Sequence, residues 1–111
     1  MAKFVLLFIG GLVPDDKREE NNRDWKAWMG QLGAGGKLLS GAPFGDQSKV
    51  ITNQTEIKDY DWHEDSNVGG YCVVETASVD EAVQLCMDCP QLKEEYGSGR
   101  IEVRESLDIG M

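Results

Sequence analysis

Hydrophobic residues near the N-terminus form an uninterrupted run over residues 4–9. Because successive side chains of a strand point to opposite faces, this run predicts a strand over residues 3–9 that is apolar on both faces. Such a strand lies centrally in a sheet and needs a cover on each side. The chain's own helices supply one cover. The other has to come from elsewhere, which predicts a homodimer.

The C-terminal third predicts a strand, a helix and a second strand. Residues 71–76 are rich in β-formers. Ser78 begins a Ser-Val-Asp-Glu capping box, which Glu81 would close by accepting from the amide of Ser78. Pro90 ends the helix, and residues 100–104 alternate as a half-buried strand. Apolar residues at helical spacing place one stripe of the helix against a core: Val79, Ala82, Val83 and Cys86.

The middle of the chain predicts one long helix, two short strands and a polar connection. Three glycines over residues 33–36 end the helix, which covers residues 15–32. Residues 37–40 form a short strand, and strand character resumes over residues 49–52, as a hairpin or a bent edge strand. Residues 53–67 are polar and acidic, and a connection of that length is usually functional or mobile. The helix is indicated by an apolar stripe near its end: Trp25, Trp28, Met29 and Leu32.

These elements follow one another in the order β–α–β–β–α–β, which predicts a ferredoxin-like α+β sandwich with an antiparallel sheet. The chain is expected to form a single domain over residues 1–111, because no internal repeat or low-complexity segment divides it. A chain of this size buries roughly 65% of its unfolded surface, enough for a core without metal or disulfide staples. Hydrophobic residues make up 41% of the chain, which excludes wholesale disorder.

The formal net charge of −9 argues against two classes of partner. Nucleic acid is not expected, because phosphate contacts need clustered Lys and Arg. An anionic membrane surface is not expected for the same reason. The N-terminal apolar run is too short to span a bilayer and lacks the basic region and cleavage site of a signal peptide. Three cysteines, an odd number, suit a reducing compartment, so we expect a cytoplasmic protein.

Cys86 and Cys89 form a C-x-x-C pair, which invites a redox or a zinc interpretation. A redox pair lies at a helix N-terminus, where the dipole lowers the thiol pKa, whereas this pair lies at a helix C-terminus. A zinc site needs four ligands, and Cys72 and His63 would complete the count, but only the pair has ligand spacing. Buried, inert cysteines are the favoured interpretation, so neither a metal nor a cofactor is expected.

Short sequence strings in both halves of the chain occur in a recognisable order. In the C-terminal half they are residues 69–75 (GGYCVVE), 80–82 (DEA), 89–90 (CP) and 101–104 (IEVR). In the N-terminal half they are residues 4–9, the tryptophans Trp25 and Trp28, and residues 38–41 (LLSG). In this order the strings resemble the YCII-related and DGPF-domain family over most of the chain. The resemblance implies the dimeric α/β-barrel class, in which two ferredoxin-like sheets pair and enclose a cavity.

Two features depart from that family. The Asp-Gly-Pro-Phe signature is absent before the third strand, where residues 59–65 read DYDWHED, and the nearest string is GAPF at residues 41–44. In the YCII branch, a histidine on the first helix and a downstream aspartate form a proposed catalytic dyad. The position that matches this histidine is Trp25, so the base of the dyad is missing and Asp46 is left as a candidate ligand contact only.

Arg104 and His63 are the first candidates for ligand contacts. Arg104 alternates with apolar residues, so it points away from the helices and either binds an anionic ligand or forms an ion pair with Glu75 or a neighbour, the ion pair being favoured. His63 is the only histidine and lies among acidic residues, which favour its charged form. A solvated histidine is the favoured interpretation. If the loop folds over the cavity mouth, however, Trp62 and His63 contact the ligand. Tyr71 is a further polar candidate.

Three functions are compatible with these residues. The first is a small-molecule-binding or accessory homodimer without catalysis, because the dyad histidine is replaced. The second is a cofactor-free enzyme of the dimeric α/β-barrel class that acts on a small anionic or aromatic molecule, with Arg104, His63, Asp46 and Tyr71 as polar contacts. The third is a protein-interaction adaptor linked to transcription regulation, which only the resemblance implies. A pH–rate profile that titrates with His63 favours the enzyme, and an apolar pocket beside an ion-paired Arg104 favours the binder.

Overall fold

Six strands and two α-helices make up the part of the chain that the computed structural model describes, residues 1–60 and 67–110. The strands are β1 (Ala2–Ile9), β2 (Leu38–Pro43), β3 (Lys49–Asn53), β4 (Glu56–Asp59), β5 (Val68–Thr76) and β6 (Arg100–Ser106). The helices are α1 (Arg18–Ala34) and α2 (Val79–Cys86). Short 3-10 turns lie at Asp15–Lys17, Pro90–Leu92 and Glu94–Tyr96. Neither of the two helices combines the length and the hydrophobicity that crossing a bilayer requires.

Four of the strands form an antiparallel sheet in the order β2–β5–β1–β6. Strands β1 and β5 are central, and β2 and β6 are the edges. This strand order, with α1 and α2 as the two crossover helices, is the ferredoxin-like α+β fold, so the predicted fold class is confirmed. The run of apolar residues in β1 does mark a central strand. Pro43 ends edge strand β2, where the lack of an amide hydrogen is tolerated.

One face of the sheet carries the hydrophobic core, and both helices pack on it. The indole Nε1 of Trp28 on α1 donates to the carbonyl of Leu85 on α2 at 3.0 Å, which ties the two helices together. The Trp28 ring also packs edge-to-face on Phe8, with centroids 6.1 Å apart. Each large apolar side chain buried in this way contributes about 1.5–3 kcal/mol. The buried core residues are Phe4, Leu6, Phe8, Trp28, Leu32, Cys72, Val74, Ala82, Cys86 and Cys89.

Helix α2 begins at the predicted cap, with one difference in its hydrogen bonds. Ser78 Oγ accepts from the amide of Glu81 at 3.2 Å, as the capping box requires. The Glu81 carboxylate accepts from the amide of Ala77 at 3.1 Å, however, where the amide of Ser78 is predicted. The same carboxylate forms a 2.5 Å ion pair with Lys37, which lowers the pKa of Glu81 below its ordinary value. One side chain therefore caps α2 and also binds the residue that precedes β2.

Helix α1 begins and ends later than its apolar stripe predicts. The predicted helix covers residues 15–32, but residues 15–17 form a 3-10 turn and α1 continues to Ala34. Gly36 has a φ of +71°, a left-handed conformation that glycine adopts without steric cost. The helix therefore ends near the glycine that turns the chain, and Gly33 is an ordinary helical residue.

Strands β3 and β4 form a β-hairpin that pairs with neither edge of the main sheet. Ile51 lies directly opposite Ile57 across the hairpin. In the turn, Asn53 Oδ1 accepts from the amide and from the hydroxyl of Thr55, each at 2.8 Å. A side chain that bonds to the backbone two residues on is the usual device of a tight turn. We refer to residues 49–59 as the hairpin.

The predicted polar connection over residues 53–67 is wrong for residues 56–59, which form β4. Three of these four residues are charged, so the stretch lacks the apolar alternation that indicates a strand. Pairing with β3 supplies the stabilisation that the pattern does not show, including a 2.5 Å ion pair between Lys49 and Asp59. The strand predicted for residues 49–52 is confirmed, but its partner is β4, whereas the predicted hairpin or bent edge strand joined it to residues 37–40, which pair only with β5.

Gly41 lets β2 approach β5 closely. A Cβ at this position would lie 2.8 Å from the Cβ of Cys72 and 2.9 Å from the carbonyl oxygen of Tyr71, both on rigid backbone. Gly41→Ala is therefore expected to lower the free energy of unfolding by about 1–3 kcal/mol, as overpacking does in other cores. Urea unfolding followed by circular dichroism measures the change. Gly45→Ala is the matched control, because its Cβ meets no atom within 4 Å, and it should change stability by less than about 0.5 kcal/mol. Equal stability of the two variants would contradict this packing argument.

Candidate functional site

The second face of the sheet is covered by neither helix. Because Phe4, Leu6 and Phe8 point into the core, the β1 residues that alternate with them point the other way. The register of β1 with β5 and β6 extends this face across three strands. We call it the open face, and it comprises Lys3, Val5, Leu7, Tyr71, Val73, Glu75, Arg100, Glu102 and Arg104.

The open face has an apolar centre, a charged side and an aromatic side. Its two central cross-strand rows are Arg104–Val5–Val73 and Glu102–Leu7–Tyr71. The charged residues of these rows belong to edge strand β6. On the other side, the ring of Tyr71 packs on Phe44, with centroids 6.0 Å apart and planes tilted by 37°. Phe44 follows β2, and its amide donates to the carbonyl of Gly69 at 2.9 Å, which fixes the aromatic pair at this edge.

Arg104 forms an ion pair, but with Glu102 and not with Glu75. Its Nη1 lies 3.5 Å from Oε1 of Glu102, which is two residues away on the same strand and face. The two side chains are 67% and 40% exposed. An exposed pair with one long contact contributes little to stability. The guanidinium can therefore exchange this contact for a bidentate one with an anionic ligand.

The predicted site residues fall into three groups. Tyr71 and Arg104 share the open face, two strands apart, which is a separation of about 10 Å across the sheet. Asp46 lies in the connection between β2 and β3, shortly before the hairpin begins. There it lines an open depression of about 510 Å³ together with Gln47, Ser48, Lys49 and Asp59. Trp62 and His63 lie outside the described residues. The structure thus brings Tyr71 and Arg104 onto one surface and places Asp46 beside the hairpin.

Trp25 occupies the position that the resemblance matches to a catalytic histidine. It is half-buried, and its ring packs edge-to-face on Phe8 and on Trp28, with centroids 4.9 and 5.7 Å apart. An indole has no lone pair with which to accept a proton near neutral pH. The side chain at this position therefore supports the core and cannot act as a general base.

The three cysteines are free and buried in the core. Burial raises the pKa of Cys72 to about 12, of Cys86 to about 11 and of Cys89 to about 12. A protonated, enclosed thiol is a poor nucleophile and a poor metal ligand. Over residues 1–60 and 67–110, no group of three or more His, Cys, Asp or Glu side chains is placed to hold a metal ion. Within that part of the chain, the C-x-x-C pair belongs to the core.

The segment between α2 and β6 is anchored to α1 by a contact that the sequence analysis does not predict. Tyr96 is buried, and its hydroxyl donates to Asp24 Oδ2 at 2.6 Å. This hydrogen bond, together with Lys93 Nζ at 3.4 Å, lowers the pKa of the Asp24 carboxyl. Burial raises the pKa of Tyr96, and the nearby carboxylate raises it further. The network fixes the segment that leads into β6, and so helps to position Glu102 and Arg104.

Phe44 is the open-face contact that the sequence analysis missed. The available signal was an aromatic residue directly after the proline that ends an edge strand. That signal is weak, because an exposed loop phenylalanine would give the same pattern.

Comparison with known proteins finds a similar fold among solved structures. No protein-family profile matches the sequence, and no curated protein matches it significantly. Among solved structures, the fold is similar to that of 5-chloro-2-hydroxyhydroquinone dehydrochlorinase from Burkholderia phenoliruptrix AC1100, determined in complex with 2,5-dihydroxybenzoquinone. The TM-score is 0.50, the sequence identity is 19%, and the match covers 90% of each chain. The similarity supports the ferredoxin-like fold of this chain.

Proposed function

We propose that this chain is a homodimeric, YCII/DGPF-like protein that binds a small anionic aromatic molecule without transforming it. In the dimer, two open faces pack together and enclose the pocket. The observation that carries the proposal is the open face itself, a central strip of apolar side chains with no helix over it. Removing such a strip from water is favourable in proportion to its area.

The charge of the open face supports packing against a second copy. The open face carries Lys3, Arg100 and Arg104 against Glu75 and Glu102, a formal charge of +1 in a chain whose formal net charge is −9. Two such faces can approach without the like-charge repulsion that the rest of the surface would cause. A second subunit would also supply the cover that the apolar pattern of β1 requires.

The composition of the open face supports the ligand class. The tilted pair of Phe44 and Tyr71 offers an aromatic surface for stacking. Arg104, held only by an exposed contact with Glu102, offers a cation. The protein of similar fold acts, by its name, on a chlorinated hydroxyhydroquinone and was determined with a dihydroxybenzoquinone. Hydroxylated aromatic rings of this kind are the first ligands to test.

The surroundings of Trp25 favour binding over catalysis. The position that would carry a catalytic base holds an indole packed into the core. A binding protein needs only a pocket with a few orienting polar groups, which Tyr71 and Arg104 would provide. His63 and Trp62 stay predicted ligand contacts at the mouth of that pocket, and Asp46 stays a predicted polar contact.

The test of this proposal joins oligomeric state to ligand binding. Native mass spectrometry of the full chain with 2,5-dihydroxybenzoquinone should show a dimer that retains the ligand, and hydroquinone, a neutral analogue, should bind more weakly. A monomer at micromolar concentration, or a dimer that binds neither compound, would overturn the proposal. Turnover of the ligand in solution would keep the pocket but contradict the absence of catalysis.

Arg104→Met is expected to weaken binding of 2,5-dihydroxybenzoquinone about 10-fold to 100-fold. A hydrogen bond to a charged group contributes about 1.5–3 kcal/mol, and methionine keeps the length of the side chain without its charge. Isothermal titration calorimetry measures the dissociation constant. The matched control is Arg18→Met, which removes an arginine ion-paired with Asp15 before α1, away from the sheet. Equal affinities of the two variants would exclude Arg104 as a contact.

A further inference from the structure

The hairpin exposes apolar side chains that no residue in the described part of its own subunit covers. Ile51 and Ile57 lie opposite each other across the two strands and are 71% and 64% exposed. Except for Val50, every residue of β3 and β4 is exposed. A two-stranded hairpin of this kind is marginally stable alone in water. Within residues 1–60 and 67–110, its apolar pair is therefore a contact surface without a partner.

The subunit is less compact than a domain of its length usually is, and the hairpin forms a sheet of its own. The radius of gyration is 15.2 Å, whereas a compact domain of this length has about 13 Å. Neither β3 nor β4 pairs with a strand of the main sheet. A separate hairpin with an apolar pair is suited to contact another chain.

The segments before and after the hairpin are both hydrogen-bonded at the β2 edge of the open face. Before β3, Phe44 bonds to the backbone of Gly69 and packs on Tyr71. After β4, the hydroxyl of Tyr60 accepts from the amide of Val68 at 2.9 Å. The hairpin therefore begins where the proposed dimer interface ends, and the two surfaces are continuous.

The charge distribution indicates which partner the hairpin suits. Within it, Lys49 pairs with Asp59 and Lys58 pairs with Glu56, so the hairpin is neutral. The open face carries a formal charge of +1, so the rest of the chain carries −10 of the net charge of −9. A second copy of this acidic chain is repelled by the remaining surface and accepted by these two parts, which are not acidic and which expose apolar side chains.

We propose that the hairpin is an intersubunit arm that packs Ile51 and Ile57 against a second copy of this chain, at the border of its open face. The inference rests on the proposed dimer. It adds that the pocket between the two open faces is closed at its borders by the arms of both subunits, so the site is incomplete in a single chain.

Photo-crosslinking in isotopically mixed dimers tests where the arm lies. p-Benzoylphenylalanine is placed at Ile57, and subunits labelled with ¹⁴N and ¹⁵N are mixed before irradiation. We expect crosslinked dipeptides that join one light and one heavy chain, with the second residue in or beside the open face. Crosslinks within one chain only, or an uncrosslinked dimer, would overturn the arm. Crosslinks between chains at a distant surface would also overturn it.

A double variant tests the strength of the contact. Ile51→Ser with Ile57→Ser should weaken the dimer at least tenfold, since two buried isoleucines are lost from each subunit. Sedimentation equilibrium measures the dissociation constant, and circular dichroism checks the fold. The matched control, Leu12→Ser with Met87→Ser, removes two exposed apolar residues from other surfaces and should not alter dimerisation. An unchanged dimer in the hairpin variant overturns the arm alone, whereas a monomeric wild type overturns the proposed function and the arm together.

Discussion

Between pH 9 and about 11, the free energy of unfolding is expected to fall by about 4 kcal/mol for each pH unit. The cause is the three buried thiols. In the folded chain their pKa values are about 11 to 12, whereas a thiol in the unfolded chain ionises near its ordinary value of 9.0. Above pH 9 the unfolded chain therefore binds fewer protons than the folded one, and each thiol removes about 1.4 kcal/mol per pH unit.

The sign of this effect follows from the raised pKa values. The stabilisation is fully present below pH 9, and it is lost as the pH rises towards the folded-state pKa values of the cysteines. By pH 11 the loss sums to about 8 kcal/mol, a large part of the about 5–15 kcal/mol of stability of domains of this size. Burial raises the pKa of Tyr96 too, which acts in the same direction.

Urea unfolding at several pH values from 8 to 10.5 measures this slope. Cys72→Ala removes one of the three titrating groups, so its slope should be smaller by about one third. The comparison concerns slopes, so a lower starting stability of the variant does not affect it. Identical slopes for wild type and variant would show that other groups cause the alkaline transition.

Val73→Asp is expected to weaken the proposed dimer by about a thousandfold or more. Val73 lies at the centre of the open face, between Val5 and Ser40, with Glu75 two residues away on the same face. An aspartate there has no cationic neighbour across either strand. Leaving a charge unpaired in a buried interface costs about 3–5 kcal/mol, and a symmetric dimer contains the substitution twice. Sedimentation velocity at micromolar concentration should show a folded monomer.

The matched control for this variant is Val79→Asp. Val79, predicted from the apolar stripe to face the core, is 48% exposed at the first position of α2, where an acidic residue complements the helix dipole. It should dimerise as the wild type does. If Val73→Asp stays dimeric and folded, the open face is not the interface, and the pocket proposed between two such faces is excluded.

The fold could be predicted because burial repeats with the period of each element. The apolar run of residues 4–9 marks a central strand, and the stripe that ends in Cys86 marks α2. The hairpin was only partly predictable, because β4 is held by its turn, its ion pairs and one cross-strand isoleucine pair. These are pairwise contacts, and a hydrophobic pattern along one strand does not report them.

The candidate site was predictable only where alternation determines it. Arg104 had to lie opposite the helices, since Ile101 and Val103 face the core. The sequence does not determine on which face of the sheet Tyr71 lies. The register pairs Tyr71 with Leu7, which places Tyr71 on the open face. Phe44 lies beside Tyr71 because of the path that the backbone takes after β2, and the local sequence pattern does not predict that path. The ligand roles of Trp62, His63 and Asp46 stay predictions.

The two edges of the main sheet limit how these chains can assemble. Pro43 gives β2 no amide hydrogen to donate at its end. On the opposite edge, β6 alternates arginine and glutamate at positions 100, 102 and 104, and such charges discourage the addition of a further strand. Neither edge strand is suited to the addition of further strands that leads to fibrils. Self-association should therefore stop at a closed pair stacked face to face, and concentrated solutions should stay free of filaments.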